Sequence, residues 1–334
     1  MTAMLRTLCA LLLAFAASPA WAQTVTIKLG TMAPEGSSWH AELKDLAAAW
    51  SKASGGRVVL KIFAGGVAGD EGAMVRKMRL GQLQAAAITT VGMGDIDRTP
   101  SVLSTPGLLT TDDEFRYVYA RFQPRLEKLL GDKGFTVLLW GDTGAVHLFS
   151  HRPFKVPADL AGLKMAAWAG DPSAIDAFKL AGFQPVALAG TDIFTSLTTG
   201  MIDAFANTPV FALAARWYER ATYMSGAAWG HLPGATIITR QAWEKVPADV
   251  RPELQRLCRE YATRVDADLV KTQADAIAAM KQNGLNVVEF DAAGRDAWQK
   301  IGERAWPAVR GGIASVADFD EVKRIRDDYR ASRK

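Results

Sequence analysis

The chain has 334 residues, of which 49% are hydrophobic, enough for two domains with cores of their own. Its 39 basic and 35 acidic residues give a net charge of +4. Because these charges are spread along the chain without a basic run, the sequence does not support binding to nucleic acid.

Residues 1–22 have the pattern of a secretory signal peptide. Arg6 precedes an apolar run at 8–17, and small residues lead to the predicted cleavage point. The alternative is a membrane anchor, but an apolar core of about ten residues is shorter than the roughly 20 that a spanning helix needs. We therefore predict a soluble, exported protein. Cleavage removes Cys9 and leaves Cys258 alone, so no intrachain disulfide is expected.

The first third of the mature chain alternates between strand and helix patterns. Residues 24–32 are rich in β-branched side chains and predict a strand that ends at Gly30. A helix follows, with Ser37 or Ser38 as its N-cap and Gly55 at its end. The next predicted elements are a strand at 57–66, a helix at 70–83 and a strand at 85–92. This alternation predicts a parallel sheet covered by helices.

The same alternation returns later in the chain. Between Glu253 and Asn283 there is neither glycine nor proline, and apolar residues recur every three or four positions. At 1.5 Å per residue this helix is about 45 Å long, so we expect it to span two α/β lobes that are joined by crossing strands. The other predicted elements are strands at 135–142, 145–151, 162–168, 201–209 and 285–290, a helix at 171–182 with Asp171 as N-cap, a short helix at 190–200 and two final amphipathic helices.

No motif for catalysis, metal binding or a cofactor is found. The sequence lacks the zinc-protease helix, paired cysteines and the nucleophile elbow of hydrolases. His147 and His151 face the same way on a predicted strand but lie too far apart to share a metal. The glycine-rich stretch 65–72 resembles a phosphate cradle, yet Asp70 and Glu71 at the helix start would repel phosphate. We predict no enzyme, no metal site and no cofactor.

Four tryptophans lie at strand ends or in loops, where α/β folds place their ligand crevices: Trp39, Trp140, Trp168 and Trp229. Core packing accounts for any one of them. Four in comparable positions favour a shared aromatic cleft.

Several segments together resemble the periplasmic substrate-binding proteins of tripartite ATP-independent (TRAP) transporters, the DctP-like family. The match extends over the mature chain and is carried by residues 29–94 with "GDE" and "LGQL", by "VPADLAGLKM" at 156–165, and by "TDIFTSLTTGMIDAFANTP" at 191–209. The resemblance implies an α/β fold of two lobes with crossing hinge strands and a long helix across both. Lobe I is then 23–143 plus about 233–270, and lobe II is 144–232 plus about 271–334.

The resemblance also implies a receptor for a small ligand that serves a permease with a small and a large membrane subunit. We expect the receptor itself to be a monomer. Asn207 matches a family asparagine that contacts ligand, and Glu71 is the candidate from the opposite lobe. For Asn207 the alternative is a turn residue before Pro209, and for Glu71 it is an acid at a helix start.

The sequence departs from the family at Ala166, where many members carry an arginine that pairs with the ligand carboxylate. An alanine leaves room for bulk, and tryptophan walls favour a ligand with apolar or aromatic area. The sequence leaves the alternative of an organic acid whose carboxylate is held by another donor. The candidate donors are Arg76, Arg98, His147, the indole N–H groups and backbone N–H groups near Asp171.

Three alternatives to a transport receptor remain. A receptor of this type can feed a sensor kinase instead of a permease, or can act as a ligand reservoir. An exported hydrolase that shares the architecture would need a nucleophile, a base and an oxyanion donor, and the sequence offers no such set.

Overall fold

The computed structural model describes residues 24–169 and 172–333. The predicted signal peptide and the predicted N-cap Asp171 lie outside these residues. The strands are β1 (Val25–Thr31), β2 (Val58–Phe63), β3 (Ala85–Thr89), β4 (Phe135–Ser150), β5 (Lys164–Trp168), β6 (Gln184–Leu188), β7 (Ala204–Asn207), β8 (Tyr223–Ser225), β9 (Gly230–Thr239) and β10 (Asn286–Val288). The helices are α1 (Ser38–Ala53), α2 (Glu71–Arg79), α3 (Thr90–Gly94), α4 (Asp112–Asp132), α5 (Pro172–Leu180), α6 (Ile193–Thr198), α7 (Pro209–Ala214), α8 (Arg240–Lys245), α9 (Arg251–Gln282), α10 (Ala292–Val309) and α11 (Val316–Ala331).

The strands form one mixed sheet in the order β2-β1-β3-β9-β4-β7-β5-β6, with β8 and β10 joined to it through β4. The two ends are parallel, as the alternation of strands and helices predicts: β1 pairs with β2 and β3, and β5 pairs with β6 and β7. In the middle, β9 and β4 run antiparallel to their neighbours. Two α/β halves are therefore connected through β4 and β9.

Strand β4 crosses from one half to the other. Its first part pairs with β9, and its last part, from His147 to Ser150, pairs with β7. The prediction of two separate strands at 135–142 and 145–151 is wrong, because the ladder continues through a bulge between Asp142 and Ala145. Gly144 makes this possible with φ +103°, a conformation that only glycine adopts without strain.

Helix α9 confirms the predicted long helix. Its 32 residues correspond to about 48 Å. Leu254 and Tyr261 in its first half pack in the core beneath β1 and β2, whereas Met280 near its end packs with Phe149 and Phe205 in the other half. The helix thus contributes to the cores of both halves.

Helix α4 is absent from the elements predicted above. Its N-cap Thr111 accepts a hydrogen bond from Glu114 N, and three acidic residues occupy its first turn. This start signal and the apolar face of the helix were available in the sequence. The helix places the Tyr119 hydroxyl against the carbonyls of Gly141 and Gly234, at 3.2 and 2.8 Å, and so supports the bulged part of β4.

Across residues 24–169 and 172–333, every helix is too short or too polar to cross a lipid bilayer.

Candidate ligand-binding site

A cleft with a volume of about 140 Å³ lies where β3, β4, β9 and the ends of β5 and β7 meet α1, α2 and α9. For comparison, an engineered protein cavity of about 150 Å³ holds benzene. The cleft brings together five of the eight residues selected from the sequence: Trp39, Glu71, Trp140, Trp168 and Asn207.

Three tryptophans form aromatic walls of the cleft. Trp140 meets Tyr119 edge to face, with 5.9 Å between ring centroids, and its Nε1 donates to Glu127 at 2.9 Å. Trp168 lies against Gly190 so closely that a Cβ at residue 190 would overlap the indole ring. A glycine at residue 190 therefore leaves the space that the Trp168 ring occupies.

Glu71 is the first residue of α2 and is buried. Its Oε2 accepts three hydrogen bonds: from Thr89 N at 3.0 Å, from Thr89 Oγ1 at 2.9 Å and from Gly92 N at 2.7 Å. Burial raises the pKa of the Glu71 carboxyl to about 7, and the three donors oppose this rise. A side chain at residue 92 would collide with Glu71, so Gly92 permits the contact.

Asp142 is a second buried acid in the cleft and is not among the site residues predicted from the sequence. It sits at the bulge of β4, where its Oδ1 accepts from Gly144 N at 2.8 Å. Burial raises its pKa to about 7; Asp266 and Asp112 add to the rise, and Arg116 opposes it. The run Gly-Asp-Thr-Gly at 141–144 is a turn-like interruption in an apolar strand, and this was the signal for Asp142.

Asn207 ends β7 and is buried in the wall of the cleft. Its Oδ1 accepts from Thr208 N at 2.7 Å, which leaves the amide nitrogen as the group that it can offer to a ligand. Thr208, also in the wall, is fully buried, and its hydroxyl has no hydrogen-bond partner among the described residues.

Two further residues of the wall come from helices distant in sequence. Phe211 lies on α7 and Tyr261 on α9. The local sequence around Phe211 and Tyr261 does not indicate a place in a ligand site, because an aromatic residue in a helix is typical of a buried helix face.

The cleft contains no lysine, arginine or histidine from the described ranges 24–169 and 172–333. Three side chains are predicted alternatives to the family arginine, and none of them lies in the wall of the cleft: Arg76, Arg98 and His147. His147 is buried on β4, where its Nδ1 lies 2.7 Å from the Ser225 carbonyl, and burial lowers its pKa. Its role in ligand binding stays a prediction.

A second cavity of about 110 Å³ adjoins the cleft and shares Val91, Trp168 and Leu232 with it. Ala166 and Trp229 border this second cavity and not the cleft. His231 also borders it, stacked on Phe115 with 4.3 Å between centroids. Neither ring nitrogen of His231 has a hydrogen-bond partner among the described residues, and burial lowers its pKa to about 3.

In the described part of the chain, no group of three or more histidine, cysteine, aspartate or glutamate side chains is arranged to hold a metal ion.

Comparison with known families gives a match over residues 29–310 to DctP, described as bacterial extracellular solute-binding protein, family 7. A solute-binding protein of Roseobacter denitrificans is 25% identical over 296 residues, covering 84% of this chain and 86% of the relative.

Solved structures of TRAP receptors share the fold. A periplasmic solute-binding protein from Desulfovibrio salexigens with bound orotic acid superimposes with a TM-score of 0.84, at 20% identity, over 92% of this chain and 99% of that one. The sugar acid binding protein DctPAm of Advenella mimigardefordensis with galactonate gives a TM-score of 0.85, at 17% identity, with the same coverage. These matches confirm the predicted two-lobed α/β fold with crossing strands.

Proposed function

Because the chain belongs to the DctP family, family 7 of the bacterial extracellular solute-binding proteins, we propose that it captures a small ligand with apolar or aromatic area and delivers it to a TRAP permease. The observation that carries this proposal is the cleft walled by Trp39, Trp140 and Trp168. Membership of this family makes the chain a solute-binding protein and not an enzyme.

The size and lining of the cleft indicate the class of ligand. The cleft has room for roughly one ring, and its walls are mostly apolar. The similar receptors hold orotic acid and galactonate, which are small organic acids. An organic acid therefore remains within the proposal, but Ala166 replaces the arginine with which many family members hold a carboxylate, and this residue borders the second cavity.

The cellular part of the proposal follows from the family and from the sequence. TRAP receptors are periplasmic, and the predicted signal peptide at 1–22 agrees with export. We propose that the receptor acts as a monomer, that the lobes close on the ligand by a hinge motion, and that a permease of a small and a large subunit reads the closed state. The lobe boundaries given above are part of this proposal.

Native mass spectrometry of the protein purified from periplasm tests capture. We expect a bound small molecule that is lost after denaturation and refolding. When this molecule is returned at a hundredfold excess over its Kd, the protein should be stabilised by about 2.7 kcal/mol and its Tm should rise. Uptake of the same molecule should require both this gene and the permease genes. Saturable binding without any loss of uptake in the deletion strain would overturn delivery and favour a sensor or a reservoir.

A further inference from the structure

The charged side chains that reach the cleft are of one sign. Glu71 and Asp142 are both acidic, they come from different elements, and no basic side chain accompanies them among the described residues. A ligand carboxylate placed here would meet two buried acids and no counter-charge. This arrangement is the reverse of what recognition of a carboxylate by arginine requires.

Neither buried acid forms an ion pair with a basic side chain among the described residues. The Glu71 carboxyl is held by the three donors to its Oε2, which favour the ionised form, whereas the charge of Asp70 raises its pKa further. Asp142 has one backbone donor, from Gly144. A positively charged ligand group supplies the missing partner for such carboxyls.

The charges that face Asp142 come from two helices packed against β4. Asp266 on α9 and Asp112 on α4 are acidic, and Arg116 on α4 is the basic group that acts on Asp142. The surroundings of Asp142 therefore add negative charge to this side of the cleft.

The aromatic walls favour the same kind of ligand. The face of an indole ring attracts cations, and aromatic cages are how proteins bind ammonium groups. Trp39, Trp140 and Trp168 are joined in the wall by Phe211 and Tyr261. The faces of these rings also replace part of the hydration that a cation loses when it enters the cleft.

A buried polar group without a partner marks the cleft as a ligand site. The Thr208 hydroxyl lies in the wall, is shielded from solvent and has no hydrogen-bond partner among the described residues. Buried hydroxyls are normally hydrogen-bonded, and a ligand atom can complete this one.

We infer that the ligand carries a positively charged nitrogen in an apolar frame of about one ring, and that Glu71, Asp142 and the tryptophan walls recognise this nitrogen. The inference, which rests on the proposed function, holds whether or not the ligand also carries a carboxylate at another position.

Four ring-sized probes that differ in charge test the inference by isothermal titration of the refolded protein. They are N-methylpyridinium, its neutral isostere toluene, the zwitterion N-methylnicotinate and the anion nicotinate. We expect N-methylpyridinium to bind at least about tenfold more tightly than toluene. We expect the same difference between N-methylnicotinate and nicotinate. Equal or tighter binding of toluene and nicotinate would overturn the inference and leave the receptor function standing. If no probe binds, the ligand released from the periplasmic protein is identified instead. A released molecule without a cationic nitrogen overturns the inference. If no molecule is released, the proposed function is overturned as well.

Charge-neutralising variants locate the effect. Asp142→Asn and Glu71→Gln keep the side-chain shape and should weaken binding of the cation by about thirtyfold or more, since one partner of a buried charge pair is lost. Glu244→Gln makes the same charge change at an exposed position of α8 and should leave affinity unchanged. Equal affinities in all three variants would contradict the assignment.

The pH dependence of wild-type binding supplies a readout that does not depend on the folding of a variant. N-methylpyridinium does not titrate, and binding it favours the ionised carboxyls. Its affinity should therefore rise about tenfold between pH 6 and pH 8 for each acid that releases a proton. An affinity that is flat or falls over this range would contradict recognition by Glu71 and Asp142.

Discussion

The cleft and the second cavity lie on two sides of Trp168, yet they bury titratable groups in opposite ways. In the cleft, Glu71 and Asp142 accept hydrogen bonds, and their pKa values of about 7 allow them to ionise near neutral pH. In the second cavity, His231 has no hydrogen-bond partner among the described residues, and its pKa of about 3 keeps it neutral. The difference indicates that the cleft can respond to a charged ligand, whereas the second cavity keeps its histidine uncharged.

The largest expected effect is on the pH dependence of stability. Burial raises the pKa of Glu71 from 4.5, and that of Asp142 from 3.8, to about 7. The unfolded chain therefore loses these protons first, and the free energy of unfolding decreases as pH rises from about 4 through 7. Each pKa unit corresponds to about 1.4 kcal/mol, so over the whole range Glu71 contributes roughly 3 kcal/mol and Asp142 roughly 4 kcal/mol.

Denaturant unfolding at pH 5 and pH 8 measures this effect in the ligand-free protein. The decrease should be smaller by roughly 3 kcal/mol in Glu71→Gln and in Asp142→Asn than in the wild type. His147 and His231 have lowered pKa values and act with the opposite sign below pH 6.5, so the comparison is made between wild type and variants. Parallel pH profiles would show that the two acids are not buried as described.

The next effect concerns the wall between the two spaces. Trp168→Ala should lower the free energy of unfolding by about 3 kcal/mol, because the side chain is half-buried, and should abolish tight ligand binding by joining the cleft to the second cavity. Trp243→Ala is the control, since Trp243 packs against Trp50 away from both spaces. It should reduce stability with no change in affinity. A Trp168→Ala protein that keeps its affinity would remove Trp168 from the ligand site.

The sequence predicted the fold well because its signals are local. The spacing of apolar residues from Val250 to Leu269 was sufficient for α9, and the alternation of strands and helices was sufficient for the parallel ends of the sheet. The bulge in β4 was not predicted, since Gly144 in a turn-like run reads as the end of a strand. What continues the ladder there is pairing with β9, about 90 residues later in the chain.

The site was predicted less completely, because contact across the cleft depends on tertiary structure. Trp39, Trp140 and Trp168 were found from their places at strand ends, and the structure puts them together in the cleft. Trp229 was selected on the same ground, and Ala166 because it replaces the family arginine, but both border the second cavity. Which side of Trp168 a residue faces follows from strand order and register, which local patterns do not contain.

A smaller effect is expected at His231. His231→Phe should increase the free energy of unfolding by about 1 kcal/mol, because it removes two buried ring nitrogens without hydrogen bonds and keeps an aromatic ring on Phe115. Thermal unfolding measures the change, and ligand affinity should not move. Loss of affinity would mean that the ligand uses the second cavity as well.

The smallest expected effect comes from removing a single buried hydroxyl group, either from the cleft or from the second cavity. Thr208 borders the cleft, Thr105 borders the second cavity, and each hydroxyl is buried without a hydrogen-bond partner among the described residues. Replacement by valine keeps the shape of the side chain, so both variants should fold with stability within about 1 kcal/mol of the wild type. Thr208→Val should weaken ligand binding about five- to tenfold, the value of one hydrogen bond, and Thr105→Val should not. Titration calorimetry distinguishes the cases: if both variants weaken binding, the ligand extends past Trp168, and if neither does, the hydroxyl of Thr208 plays no part in recognition.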